Sequence, residues 1–96
     1  MSAELADATE IHGKYPDTFW IPSPKTLAAL KAGDYVKLIF VNQPHSERMW
    51  VGIVTRDGDS FTGVLMDEPC ELTSIKEGDT VSFQTRHIID HHRRRG

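Results

Sequence analysis

The sequence is poor in cysteine and lacks long apolar runs, and each shortage excludes a class of protein. Cys70 is the single cysteine among 96 residues, so no internal disulfide can form and a reducing cytoplasm fits best. No apolar stretch approaches the length of a membrane span. The N-terminal stretch, which contains Glu4 and Asp7, lacks the basic start and apolar run of a secretory signal. The sequence therefore predicts a cytoplasmic protein with no membrane partner.

Positive charge is also scarce. The chain has 11 lysine and arginine residues against 14 aspartate and glutamate residues, a net charge of -3, and its only basic run is Arg93–Arg95. Because binding to a phosphate backbone relies on clustered lysine and arginine, the composition argues against nucleic acid as the main partner. The length suits one domain with a modest core. We predict a flexible leader (residues 1–13), a single globular domain (residues 14–90) and a flexible basic tail (residues 91–96).

Before the first predicted strand, aromatic residues alternate with prolines. Tyr15, Phe19 and Trp20 are too apolar to leave in water, whereas the prolines among them prevent regular pairing with a neighbouring strand. We therefore predict an extended aromatic N-terminal arm whose rings pack on the domain. Ser23 followed by Pro24 is typical of a helix start and predicts one short N-terminal helix.

After this helix the apolar residues alternate with a period of two, which predicts strands. The predicted strands are YVKLIFV, ERMWVGIVT, FTGVLM and TVSFQTRHIID. Asp57-Gly58 predicts a tight hairpin, and Gly63 predicts a bulge or a close approach of two backbones. The fold class that follows is α+β, mainly antiparallel β: a small SH3-like roll or partly open barrel of about four to five strands. The alternative is an antiparallel sheet of three or four strands packed on the one helix.

One frame, Lys-x-Gly-Asp-x-Val, occurs twice, in KAGDYV and KEGDTV. Its two carboxylates, Asp34 and Asp79, could serve catalysis. Turn chemistry is the simpler explanation, because glycine frees the backbone to turn and aspartate accepts hydrogen bonds from nearby amides. We predict that both copies are turns that lead into strands.

Five segments, in this order, resemble a known family: GDYVKLIF, ERMWV, GVLMDEP, GDTVSF and HIID. They resemble an uncharacterised bacterial family, domain of unknown function 2314, over residues 17–90. The most specific part of the resemblance is Glu47–Val51. The sequence departs from the family pattern at Asp67, where that pattern has asparagine. The resemblance implies a small cytoplasmic bacterial protein, and it brings no activity, cofactor or catalytic residue.

Four residues near the start of the second predicted strand are candidates for a binding site: His45, Glu47, Arg48 and Trp50. Tryptophan and arginine are enriched at the energetic centres of interfaces, and the pair could grip a peptide or a small planar ligand. The alternative is that Trp50 packs beneath the aromatic arm while Glu47 and Arg48 pair with surface neighbours. We predict a non-catalytic module that binds or regulates a protein partner and needs no cofactor.

Two other functions stay open. His87, Asp90 and His91 predict a metal-binding protein or metal-dependent hydrolase, provided that the chain turns there and that His12 or His45 completes the ligand set. The arginine run of the tail would suit an RNA-binding small barrel, with fold analogy as its main support. No set of residues combines a nucleophile with a base, so the sequence favours a function without catalysis.

Overall fold

The computed structural model describes residues 4–42, 45–70 and 72–92. Within these ranges the strands form one six-stranded antiparallel sheet, in the order β1-β2-β3-β4-β5, with β6 pairing with β2. The strands are β1 (Glu4–Leu5), β2 (Tyr35–Asn42), β3 (His45–Asp57), β4 (Ser60–Leu65), β5 (Thr80–Gln84) and β6 (Ile88–His92). The helices are α1 (Ala8–Lys14), α2 (Pro24–Ala29) and a 3-10 turn at Thr85–His87. None of these helices is long and apolar enough to cross a membrane.

The sheet curls because the chain returns from β5, at one end of the series, to β6, which pairs with β2 near the other end. Along one edge β2 pairs with β3 over its whole length, from Tyr35 opposite Gly52 to Asn42 opposite His45. The other edge is shared, since β6 pairs with the first half of β2 and β1 pairs with the second half. The return of β6 to β2, after β5 has ended the series, bends the sheet into a half-barrel. The prediction of a mainly antiparallel, partly open β structure is confirmed.

Alternate residues of the strands fill one core, because successive side chains of a strand point to opposite faces. In β2, Val36, Leu38 and Phe40 are fully buried, as the period of two predicts. Phe61 and Phe83 lie opposite each other on β4 and β5, and their ring centroids are 5.0 Å apart. The same buried cluster contains Leu30, Met49, Val51, Ile53, Leu65, Leu72, Ile75, Val81 and Ile88.

Two local signals in the sequence correspond to the predicted structures. α2 begins at Pro24, and the Ser23 hydroxyl caps it by accepting a hydrogen bond from the Thr26 backbone N–H at 3.2 Å. The tight hairpin between β3 and β4 forms at Asp57-Gly58, where Gly58 has a φ of +61°. A positive φ suits glycine, which has no Cβ to clash with the backbone. The helix start and the hairpin are confirmed, whereas the prediction of a single N-terminal helix is wrong, because α1 precedes α2.

Gly63 lies where β3 and β4 approach each other too closely to leave room for a side chain. A Cβ built at this position would lie 2.5 Å from Val51 Cγ1 and 2.6 Å from the Gly52 carbonyl oxygen. The register between the two strands also shifts between Ile53 and Thr55. Both parts of the sequence prediction, a bulge and a close approach, therefore occur at this crossing, with the bulge on the facing strand.

The repeated frame forms the same turn twice. Asp34 Oδ2 accepts a hydrogen bond from the Lys31 backbone N–H at 3.1 Å, and Asp79 Oδ2 accepts one from the Lys76 backbone N–H at 3.0 Å. The glycine before each aspartate has a positive φ, +96° in the first copy and +91° in the second. The turns lead directly into β2 and β5, so the prediction of two turns that start strands is confirmed.

The aspartates of the two turns differ in burial, so we expect removal of each carboxylate to lower the free energy of unfolding by a different amount. Asp34 is 2% exposed, whereas Asp79 is only half-buried. We expect Asp34→Ala to lower the free energy of unfolding by about 2 kcal/mol, because it removes a charged acceptor from the interior, and Asp79→Ala by about 1 kcal/mol or less. Urea unfolding of the two variants measures the difference. Equal losses would show that burial does not set the cost.

The segment TVSFQTRHIID, predicted as one strand, forms two. β5 ends at Gln84, the 3-10 turn follows, and β6 begins at Ile88. The physical reason is pairing: β5 pairs with β4, whereas β6 pairs with β2, so the chain must change direction between them. A hydrogen bond from the Gln84 backbone N–H to His87 Nδ1, 2.9 Å long, spans the turn.

The predicted flexible leader contains two regular elements. Within residues 4–13 the structure places β1 and most of α1. The Asp7 carboxylate caps α1 by accepting a hydrogen bond from the Glu10 backbone N–H at 3.0 Å. It also joins this segment to the domain, because it accepts a hydrogen bond from Arg86 Nη1 at 3.1 Å. At the other end, the tail that the sequence predicts begins at residue 91, whereas the structure places His91 and His92 in β6; residues 93–96 lie outside the described part of the chain.

Candidate functional site

A groove of about 410 Å³ lies on the outer face of the sheet, between residues 18–22 and strands β2, β3 and β6. We call it the outer groove. Phe19 and Trp20 contribute from the segment before α2, and Lys37 and Arg48 contribute from β2 and β3. Its volume falls in the range of ligand-binding pockets, roughly 300–1,000 Å³. The remaining lining residues are Thr18, Ile21, Pro22, Ile89, Asp90 and His91.

Phe19 holds the aromatic segment to the domain. Its carbonyl oxygen accepts a hydrogen bond from His12 Nδ1 at 2.6 Å, and its ring lies 5.9 Å from the Arg48 guanidinium. Trp20 and Tyr15, in contrast, are 74% and 60% exposed. The prediction that the aromatic rings pack on the domain is therefore wrong for these two residues. With Phe19 directed at the strands, the adjacent Trp20 side chain points into solvent.

Trp50 lies on the outer face of β3, half-buried, while its neighbours Met49 and Val51 point into the core. Lys37 is directly opposite it on β2, with the ammonium nitrogen 5.3 Å from the indole centroid. The Trp50 backbone N–H donates to Asp67 Oδ2 at 2.8 Å. An asparagine oxygen could accept the same bond.

The other two predicted binding residues lie away from the groove lining. Glu47 Oε2 accepts a hydrogen bond from the Cys70 backbone N–H at 3.1 Å, and it thereby holds the β4–β5 connection to β3. His45 is exposed at the start of β3, directly after residues 43–44, which lie outside the described ranges. Of the predicted set, the structure places Arg48 in the outer groove itself.

Two cations in the outer groove have no ion-pair partner among the residues that the structure describes. Arg48 is opposite Ile39, two residues along β2 from Lys37, so the cations are diagonal neighbours on the outer face. Within the described part of the chain, neither cation has a carboxylate oxygen within 4.0 Å. Asp90, opposite Lys37 on β6, instead accepts a hydrogen bond from the backbone N–H of His91 at 2.8 Å.

The predicted metal ligands are divided between two places. His87 belongs to the 3-10 turn, where Nδ1 accepts from the Gln84 backbone N–H at 2.9 Å. Asp90 and His91 lie on β6 and line the outer groove. Among the residues that the structure describes, no three His, Cys, Asp or Glu side chains are grouped so that they could hold a metal ion. The turn that the metal prediction required after residue 89 comes instead before β6.

The environment of His87 predicts a dependence of stability on pH. Burial lowers its pKa from the ordinary value of 6.5, and the charge of Arg86 acts in the same direction, with Asp7 partly opposing them. The folded protein therefore favours the neutral ring, which accepts from the Gln84 N–H, and as the pH falls the unfolded chain binds a proton first. From this residue we expect no loss of stability above pH 6.5 and a falling free energy of unfolding below it.

His87→Gln tests this expectation, because glutamine keeps a hydrogen-bond acceptor at the position but cannot titrate. Urea unfolding between about pH 7.5 and 5.5 should show a shallower loss of stability in the variant than in the wild type. If the free energy of unfolding falls equally steeply with pH in the two proteins, His87 is not the cause of the loss.

Sequence reasoning missed two members of the outer groove. In the sequence Lys37 is simply a polar residue of a predicted strand. It becomes part of the groove because β3 and β6 pair with β2 on either side of it. Trp20 carries a visible signal, an aromatic residue among prolines, but the sequence does not say which ring faces the domain. Both residues become candidates only when their neighbours in space are known.

The match to a family follows the sheet. A family model described as an uncharacterized protein conserved in bacteria, DUF2314, matches residues 25–93. The chain belongs to this family. The matched residues include Lys37 and Arg48, whereas Phe19 and Trp20 precede them, so the groove combines residues inside and outside the family match. Neither the curated proteins nor the solved structures contain a match to this chain.

Proposed function

We propose that this protein is a non-catalytic module that binds a segment of another protein in the outer groove. The observation that supports the proposal is the exposed indole of Trp20 beside two cations, Lys37 and Arg48, that have no ion-pair partner in the described ranges. Tryptophan and arginine dominate the binding energy of many interfaces. A large apolar side chain left in water at the rim of a groove contributes binding energy when a partner covers it.

The SH3-like roll and the N-terminal arm are part of this proposal. Three features support a roll of that kind: the consecutive antiparallel strands β2–β5, the 3-10 turn before the last strand, and the return of that strand to β2. SH3 domains bind extended peptide segments in grooves lined by aromatic residues. In the proposed arrangement residues 15–22 are an arm that forms one wall of the groove. The proposal places the protein in the cytoplasm, where the exposed thiol of Cys70 stays reduced.

A pull-down from bacterial lysate with matched aromatic variants tests the function. Trp20→Ala removes an exposed ring from the groove, and Tyr15→Ala removes a comparably exposed ring that does not line it. We expect wild type and Tyr15→Ala to retain a protein that survives nuclease treatment, and Trp20→Ala and Arg48→Ala to lose it. Retention by all four proteins, or a retained species that nuclease removes, would count against the proposal.

The metal-dependent and RNA-binding alternatives stay predictions. His87 is engaged in the 3-10 turn, so a metal at that ring would have to displace the Gln84 N–H. The arginine run of the tail lies outside the described residues. Neither alternative has an observation in its favour comparable to the outer groove.

A further inference from the structure

We infer that the segment bound in the outer groove is acidic: a carboxylate side chain occupies the space between Lys37 and Arg48, next to an aromatic or aliphatic side chain that packs on Trp20. This inference rests on the proposed function and names the chemistry of its partner. It follows from the charge, the hydrogen-bonding capacity and the apolar surface of the groove.

The charge of the groove is opposite to that of the whole protein. The chain has a net charge of -3, yet the described lining of the groove contains Lys37 and Arg48 and, against them, the single carboxylate of Asp90. Asp90 already accepts a hydrogen bond from the His91 N–H. Two cations on adjacent strands without a carboxylate in ion-pair range, within the part of the chain that is described, form a local positive centre on a protein of net negative charge. Such a centre attracts a carboxylate.

The hydrogen-bond donors of the two cations are also available. The ammonium of Lys37 faces the Trp50 ring and the guanidinium of Arg48 faces the Phe19 ring. These are cation–π contacts, in which the charge is attracted to the ring and no N–H group donates a hydrogen bond to an acceptor atom. Among the described residues neither side chain donates a hydrogen bond to another group of the protein. A carboxylate accepts several hydrogen bonds at once, and charge-assisted bonds of this kind are about twice as strong as neutral ones.

Apolar surface lies beside the positive centre. Trp20 is 74% exposed, and Ile21, Pro22 and Ile89 line the same groove as half-buried side chains. A ligand that offered charge alone would leave this surface in water. An acidic residue followed or preceded by an aromatic or aliphatic residue uses both parts, and burial of the apolar side chain contributes roughly 25 cal/mol per Å².

The surroundings of the groove favour an acidic peptide over a nucleic acid. Arg48 also borders a second depression of about 440 Å³, which is lined by the carboxylates of Glu47, Asp67 and Glu68. Asp90 adds a further negative charge inside the groove. Each additional nucleotide would bring another phosphate charge close to these carboxylates, which repel it. A peptide with one or two carboxylates can instead be bound by the two cations alone.

Selection from a displayed library of random peptides, about 12 residues long, tests the inference on the intact chain. Lys37→Met and Arg48→Met remove the charges and keep apolar stems of similar length. Lys25→Met is the matched control, because Lys25 is exposed on α2 and outside the groove. We expect the wild type to select peptides with Asp or Glu beside an aromatic or aliphatic residue. Lys37→Met and Arg48→Met should each bind these peptides about tenfold more weakly than the wild type, and Lys25→Met should bind them equally well.

A second arm of the experiment changes the peptide instead of the protein. Replacement of each Asp or Glu of a selected peptide by Asn or Gln should weaken its binding to the wild type about tenfold, which does not depend on the folding of any variant. Neutral or basic peptides that need Trp20 would overturn the inference and leave the proposed function standing. Acidic peptides that bind Lys37→Met and Arg48→Met normally would also overturn it. If no selected peptide needs Trp20, or if the protein prefers a single-stranded oligonucleotide, both the inference and the proposed function are overturned.

Discussion

Gly63→Ala should lower the free energy of unfolding by about 3 kcal/mol, at the upper end of the range for overpacked cores. The added Cβ would lie 2.5 Å from Val51 Cγ1 and 2.6 Å from the carbonyl oxygen of Gly52. The first contact could be relieved by a side-chain rotation, but the second is with backbone that the β3–β4 ladder holds in place. Urea unfolding measures the loss directly, and the melting temperature should fall by about 12 °C or more.

Gly52→Ala is the matched control for Gly63→Ala, because the two glycines are neighbours on facing strands. A Cβ at position 52 would meet Met66 Sδ and Tyr35 Cε1 at 3.5 Å, which is ordinary van der Waals contact. We expect this variant to differ from the wild type by about 1 kcal/mol or less. A tolerated Gly63→Ala, or a Gly52→Ala loss of the same size, would show that close approach at Gly63 does not limit the packing of the two strands.

Arg56→Ala should cost about 2 kcal/mol, because this side chain joins the β3–β4 hairpin to the end of α2. Its Nη1 donates to the carbonyl oxygens of Leu27 and Leu30, both at 2.8 Å, and its Nε donates to the Gly58 carbonyl at 2.8 Å. The guanidinium also lies 4.6 Å from the ring centroid of Phe61. Carbonyls at a helix end lack the partners that helix-interior carbonyls have, and the Leu27 carbonyl has, besides Arg56, a long bond of 3.4 Å from the Leu30 N–H. With only 6 residues, α2 is too short to be stable alone.

Two further variants show whether the geometry of the guanidinium matters. Arg56→Lys keeps the charge but not the planar set of donors, and we expect it to recover less than half of the stability that Arg56→Ala loses. Arg86→Ala is the matched control, since its ion pair with Asp7 lies at the surface, with side chains 53% and 28% exposed, and surface pairs contribute about 0–1 kcal/mol. Equal losses for Arg56→Ala and Arg86→Ala, measured by urea unfolding, would contradict the role of Arg56 as a helix cap.

The candidate site could be predicted only in part. Arg48 and Trp50 stand out because tryptophan and arginine are common at interfaces, and the structure places both on the outer face of the sheet. Lys37 and Trp20 could not be selected in this way, because their position beside Arg48 depends on strand pairing and on the direction of one aromatic ring. The role of His87 in the 3-10 turn, where its ring nitrogen accepts a backbone hydrogen bond, was likewise not visible in the sequence.

Short-range chemistry made several parts of the fold predictable from the sequence by itself. The start of α2 at Pro24, the hairpin at Asp57-Gly58 and the two turns at Asp34 and Asp79 each depend on residues at most three positions apart. The alternation of apolar residues also identified β2, β3 and β4, because a strand exposes its two faces in turn. The family resemblance rests on the same segments and is confirmed by the match to residues 25–93.

Only the tertiary structure decided the features that depend on distant partners. The last predicted strand divides at Thr85–His87 because its halves pair with strands on different sides of the half-barrel. Arg56 caps a helix that lies 26 residues or more earlier in the chain. The outer groove likewise unites Trp20, Lys37 and Arg48 from three separate elements. Such contacts follow from long-range pairing, whose partners local sequence patterns do not specify.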